Sequence, residues 1–183
     1  MISVEPLFPV HFFAGKIANP EEILIEIQKK KEEIRRVSES SQEQSSETYK
    51  TDYTRPIKLL SFETQIQGFL DQLRHQKLKG ILSEYWTAIY SGSGHHSPHT
   101  HSMSIFDTSN YSGVLYLSEG SGTQFYCPSV SCAERHTTFH PRFGDVIMFP
   151  STILHAYVPQ NCLSTNERCI VSFNLNITGV ENG

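Results

Sequence analysis

What the chain lacks narrows its function before any motif is considered. No apolar run approaches the roughly 18 residues that a bilayer-spanning helix needs, so no membrane role is expected. Residues 1–13 are apolar, but they have no basic start and include Glu5, Pro6 and Pro9. They read as a tethering strand rather than a secretory signal. Basic charge is not in excess. A net charge of -4 at pH 7 gives no electrostatic case for nucleic acid or an anionic membrane surface. Cysteine is scarce and unpaired in pattern: Cys127, Cys132, Cys162 and Cys169 form no CxxC. Free or buried thiols in a reducing compartment are the simplest reading, and a cytoplasmic location follows as an expectation. No internal repeat is visible.

What is present describes a globular protein. The 183 residues suffice for one domain with a real core, and two full domains would be cramped. Apolar residues make up 38% and charged residues 19%, a balance that argues against general disorder. We expect a single domain over 1–183. Its helix-rich part spans 1–80, with a polar loop near 38–49, and its β-rich core spans 84–177.

Asn19-Pro20-Glu21-Glu22 has the look of a helix start, with a capping residue, a first-turn proline and acids that suit the dipole. Ile23, Leu24, Ile27 and Ile34 give that helix one apolar side, and Lys29 to Glu33 its solvated face. A second helix is predicted from Phe62 to about Lys79, with Phe62, Ile66, Phe69, Leu70 and Leu73 on one stripe and His75 on the surface. From Glu84 onward, short stretches rich in aromatic and β-branched residues alternate with Gly, Pro and Ser turns. These are Glu84–Tyr90, Tyr111–Leu117, Thr123–Cys127, Phe143–Phe149, Ala156–Val158 and Cys169–Leu175. Such a series predicts an all-β sandwich or barrel with the helices packed outside.

The chemistry concentrates in the histidines. His99 and His101 lie two apart on an extended segment, so their side chains leave one face. His155 follows the strand and proline turn that run from Gly144 to Ser151, and so arrives from a second strand. Three imidazoles converging in this way can grip one ion. Neutral imidazole suits zinc, iron, copper and nickel. A closed structural zinc site has four protein ligands, whereas a three-point grip with open positions is the arrangement of non-haem Fe(II) oxygenases. Arg168 precedes the apolar stretch Cys169-Ile170-Val171. A guanidinium entering a barrel needs an anionic partner, and its geometry favours a carboxylate. A dicarboxylate could chelate the metal at one end and meet Arg168 at the other.

At this point the residues resemble a known family. In order come His99-x-His101, Tyr111 to Leu117, Gly122-Thr123-Gln124-Phe125, Gly144 to His155, and Arg168 through Ser172-Phe173-Asn174. The set is similar to the 2-oxoglutarate/Fe(II)-dependent oxygenases found widely in marine bacteria and phages, well from about Trp86 to Asn174 and loosely before. The resemblance implies a double-stranded β-helix (jelly roll). It implies Fe(II) at His99, His101 and His155, and 2-oxoglutarate as co-substrate with its distal carboxylate at Arg168. It implies oxidative decarboxylation to succinate and CO2, with O2 consumed and a small-molecule or peptide substrate hydroxylated. Two departures stand out. The commonest triad carries a carboxylate where His101 stands, and Asp107 is the nearest alternative carboxylate. The residue two after Arg168 is Ile170, leaving Ser172 as the candidate hydroxyl.

Other residues have plainer readings. Tyr90 and Tyr116 sit on strands near the ligands, either packing in the core or donating a hydroxyl to the co-substrate. His95 and His96 read as loop residues, His136 and His140 as flanking a loop at the rim, His11 as structural, and Trp86 as core. Gly144 reads as the residue that permits a tight turn. Two further functions compete. One is a cupin-type three-histidine dioxygenase that does not use 2-oxoglutarate, in which Arg168 has no task. The other is a non-enzymatic β-sandwich module with a histidine-rich loop.

Overall fold

A computed structural model describes residues 11–41, 48–92, 94–101, 110–120, 122–127, 135–157 and 167–179. The elements run β1 (Phe13–Lys16), α1 (Pro20–Ser40), β2 (Tyr49–Thr51), α2 (Leu60–Asp71), a 3-10 turn (Gln72–Gln76), then β3 (Leu78–Tyr90), β4 (His96–His99) and β5 (Tyr111–Tyr116). There follow β6 (Thr123–Tyr126), β7 (His136–Phe139), β8 (Asp145–Pro150), β9 (His155–Tyr157) and β10 (Arg168–Gly179).

The strands form two antiparallel sheets, a larger one in the order β1-β8-β5-β10-β3-β2 and a smaller one in the order β4-β9-β6-β7. From β3 to β10 the strands alternate between sheets in the manner of a double-stranded β-helix, except that β6 and β7 form a hairpin within the smaller sheet, and the helices lie on the outer face of the larger sheet. Strand alternation makes this possible. On β10 the odd positions Cys169, Val171, Phe173 and Leu175 pack with Leu115, Val146 and Met148 against Ile23, Ile27, Phe62 and Ile66 of the helices. The even positions turn inward, where Ile170 joins Val114, Tyr116, Ile147 and Phe149 between the sheets.

The helices are fastened to each other by side chains that replace missing caps. Asn19 occupies the N-cap of α1 without a side-chain cap bond. Its backbone N–H instead donates to Gln65 at 2.8 Å, and the Gln65 amide donates back to its carbonyl at 2.9 Å. Glu26 of α1 accepts from the N–H groups of Leu60 and Ser61 at 3.0 and 2.8 Å, which satisfies the open start of α2.

Several expectations need correction. The second helix ends earlier than Lys79: the chain turns left-handed at Lys77 (φ 56°), and Leu78 already pairs with Gly179. His136 opens a strand, β7, and His140 follows its end, so the segment between them is not a loop. His11 is exposed, edge-on to Phe13. Cys169 is a free thiol, buried as expected, and burial pushes its pKa up to about 12. Cys127 is disulfide-bonded, so the expectation of free or buried thiols does not hold for it. Cys132, Cys162 and Asp107 lie outside the described residues. Gly144 does hold a positive φ of 82° in the turn before β8. Among the described residues no helix is long and apolar enough to cross a membrane.

Candidate metal centre

The three histidines meet. Their ligand atoms lie within 4.8 Å of one another. The smaller sheet supplies two of them as a register pair, His99 at the end of β4 facing His155 at the start of β9. His101 follows β4 and is pinned by its N–H to the carbonyl of Ser151 at 3.0 Å. His155 is buried, at 5% exposure, edge-on to Phe149 and beside the tilted ring of Phe125. The His101 ring lies over Trp86, 5.4 Å between centroids.

Each imidazole is oriented by its Nδ1. That atom of His99 is 2.7 Å from the Ser97 carbonyl, that of His155 is 2.9 Å from the Ile153 carbonyl, and that of His101 is 2.9 Å from Asn174 Oδ1. All three partners are oxygens that accept, so each Nδ1 carries the proton and each Nε2 presents a lone pair. The Nε2 atoms of His99 and His101 face each other at 3.2 Å. Two lone pairs at that distance repel unless a cation lies between them. The spacing also suits two adjacent ligands about 2.1 Å from one ion. Burial depresses the pKa of His155 to about 3, helped by the neighbouring His99, and it lowers that of His99 as well. Near neutral pH these two rings are therefore uncharged, as metal ligation requires. The donor set fits a divalent ion.

Arg168 begins β10, opposite Tyr90 of β3, and is 5% exposed. Its guanidinium carbon stands 4.0 Å from the centre of the Tyr157 ring, 5.0 Å from Tyr90 and 5.6 Å from Tyr116, an arrangement that stabilises a buried cation. It lines the same cavity as the three histidines, together with Tyr90, Thr123, Tyr157 and Ser172. Both expected tyrosine hydroxyls are near protein partners: Tyr116 is 2.7 Å from Thr123 Oγ1, and Tyr90 is 3.4 Å from His96 Nδ1. Burial raises the pKa of both, that of Tyr116 to about 12.

His95 is exposed outside the strands, as expected, but His96 is not a loop residue. It opens β4, stacks on His99 at 4.1 Å and faces Tyr49. Trp86 is buried as expected, yet it forms a wall of the site. Free space between the lining side chains amounts to only about 30 Å³, room for one or two water molecules.

Fold and site together define an antiparallel double-stranded β-helix with an open three-histidine cluster between its sheets. Solved structures sharing this architecture include a prolyl-4-hydroxylase from Pseudomonas putida (TM-score 0.61, 14% identity, 90% of this chain and 91% of that one). A viral collagen prolyl hydroxylase from Paramecium bursaria Chlorella virus-1 is similar over 93% of this chain and 96% of its own (TM-score 0.59, 14% identity). So is HygX from Streptomyces hygroscopicus, solved with nickel, 2-oxoglutarate and hygromycin B (TM-score 0.60, 11% identity, 91% and 83%). At these identities the likeness establishes the fold alone. No protein-family model and no curated protein matches the chain.

Proposed function

We propose that the protein is a metal-dependent oxygenase in which His99, His101 and His155 hold Fe(II) and Arg168 receives the distal carboxylate of 2-oxoglutarate. The observation that carries this reading is the convergence of three Nε2 lone pairs, each fixed by an acceptor on its Nδ1, in the cavity that Arg168 also lines. When bound, the metal supplies the one-electron chemistry that lets O2 react with a closed-shell organic substrate. The chain's own groups do the rest. The histidines take one side of the ion and leave the other for exogenous ligands. Arg168, set among tyrosine rings, orients an anion by two parallel hydrogen bonds. Ser172 and Thr123 line the wall and offer hydroxyls. Phe149, Phe125 and Trp86 keep water from the ligand rings and strengthen each polar contact inside. One structural neighbour is solved with a bound peptide and another with bound hygromycin B, so the class of substrate stays with the pair named above.

One observation favours the second reading, a three-histidine dioxygenase that does not take 2-oxoglutarate. The cavity of about 30 Å³ has room for an ion and a water or two, and is smaller than a five-carbon diacid. An anaerobic titration decides. On the first reading, Fe(II) with 2-oxoglutarate gives a weak visible charge-transfer band, and air then yields succinate. Arg168→Met weakens 2-oxoglutarate binding by about 10- to 100-fold, the worth of a charge-assisted pair, and leaves Fe(II) binding intact. Fe(II) binding with no band and no effect of Arg168→Met selects the second reading. Absence of Fe(II) binding removes both and leaves the non-enzymatic module.

A further inference from the structure

Glu84, Asn174 and Ser112 stand in one row across three strands: Asn174 on β10 pairs in register with Glu84 on β3 and with Ser112 on β5. Directly opposed residues share a face, and the side chains are joined. The Asn174 amide donates from Nδ2 to Glu84 Oε1 at 2.7 Å. Its Oδ1 accepts from Ser112 at 2.9 Å and lies 2.9 Å from His101 Nδ1. Ser112 is also 3.0 Å from Ser151 Oγ, and the Ser151 carbonyl pins the His101 backbone. We propose that Glu84 is a positioning residue that sets the tautomer of His101 by fixing which way the Asn174 amide faces. The proposal rests on the reading of His101 as a metal donor.

Proton bookkeeping carries the argument. An ionised carboxylate only accepts, so the end of Asn174 nearer Glu84 must be its NH2. The carbonyl then faces inward, where its two lone pairs take the Ser112 hydroxyl proton and the His101 Nδ1 proton. Ser112 has one proton, so Ser151 donates to Ser112. With Nδ1 protonated, neutral His101 has its free pair on Nε2, toward His99 and His155. Reverse the amide and every partner reverses: the NH2 points at His101, Nδ1 must accept, Nε2 carries the proton, and that ring can no longer ligate. An amide has no intrinsic preference between these states, and its network decides. Asn174 is 5% exposed whereas Glu84 reaches solvent. Substitution at Glu84 therefore alters the polarity of the row without opening the core. The ligand that departs from the common carboxylate pattern thus acquires its donor atom from a carboxylate two hydrogen bonds away.

The test inverts the polarity. In the metal-free, 15N-labelled full chain, the ring nitrogen shifts of His101 should report the Nδ1–H tautomer. Glu84→Lys replaces an acceptor by a donor, and should turn the amide and move His101 toward Nε2–H. It should also weaken Ni(II) binding by about tenfold or more, the usual effect of losing an outer partner of a metal ligand. Adding Asn174→Asp to Glu84→Lys supplies a carboxylate that accepts from both sides, and should restore both the Nδ1–H tautomer and Ni(II) affinity. A purely structural role predicts no such rescue. The proposal is overturned if Glu84→Lys leaves tautomer and affinity unchanged, or if the double variant stays as impaired as the single one. Should the wild-type chain bind no Ni(II) at these histidines, the metal reading fails while the tautomer of the metal-free chain still judges the role of Glu84.

Discussion

His155 makes the metal-free protein acid-sensitive by an amount the structure sets. Its ring is 5% exposed. Burial, with help from His99, depresses its pKa to about 3, against about 6.5 in an unfolded chain. Above pH 6.5 the ring is neutral in both states and contributes nothing to the pH dependence. As pH falls below 6.5 the unfolded chain takes up a proton that the folded chain refuses, so stability is lost progressively until pH approaches 3. At pH 5 the two states differ by about 1.5 pH units of proton uptake, or about 2 kcal/mol at 1.36 kcal/mol per unit. His96, depressed to about 4, and His99, also lowered, act in the same direction. The measurement is urea unfolding with a chelator present, at about pH 7.5 and about pH 5, followed by the fluorescence of the one tryptophan, Trp86. His155→Gln keeps a donor for the Ile153 carbonyl but cannot titrate. It should shrink the stability difference between the two pH values by about 2 kcal/mol, whatever it does to stability at either one. Equal differences in variant and wild type would refute the reasoning.

Metal should reverse this balance: Ni(II) at about 100 times its dissociation constant should stabilise the fold by about 2.7 kcal/mol near neutral pH, with the gain vanishing on acidification or addition of chelator. A shift in urea midpoint that is the same at both pH values would count against imidazole ligation. Gly113→Ala places a methyl 2.2 Å from the Phe173 ring tip, and that ring is wholly buried and backed by Phe62 at 5.8 Å. It should cost about 2 kcal/mol or more, and Phe173→Leu in the same chain should recover part of it. Full stability of Gly113→Ala would show that the strand can shift where the packing says it cannot.

The fold was legible wherever one short segment carried its own alternation. Ile170 and Ser172 on one side of β10, with Val171 and Phe173 on the other, announce a strand buried on both faces. The helical stripe Phe62, Ile66, Phe69 and Leu70 announces what covers the sheet. Legibility failed where pairing across the chain outweighed local preference. Leu78 to Ser83 have no strong strand composition, and they extend β3 because Leu78, Lys79, Gly80 and Ile81 find partners in Gly179, Thr178, Ile177 and Asn176. His136 to Phe139 look like loop, and become β7 because β6 offers Thr123 opposite Phe139 and Tyr126 opposite His136.

The site divides in the same way. His99 and His101 were readable from a spacing of two, and His155 and Arg168 from the strands they begin. Continuing the alternation of β10 beyond Ser172 reaches Asn174, so its inward position was within reach of sequence reasoning. Its bond to His101 was not, because that depends on where β4 ends relative to β10. His96 shows the limit of the rule most sharply. In a regular strand, residues three apart point to opposite faces, which removes His96 from the face of His99. Instead the register of β4 against β9 shifts between His96 and His99, and the two rings stack at 4.1 Å. One irregularity in pairing thus brings a fourth imidazole onto the ligand face. No count along the chain could have placed it there, since a bulge is decided by the partner strand and the packing beneath it.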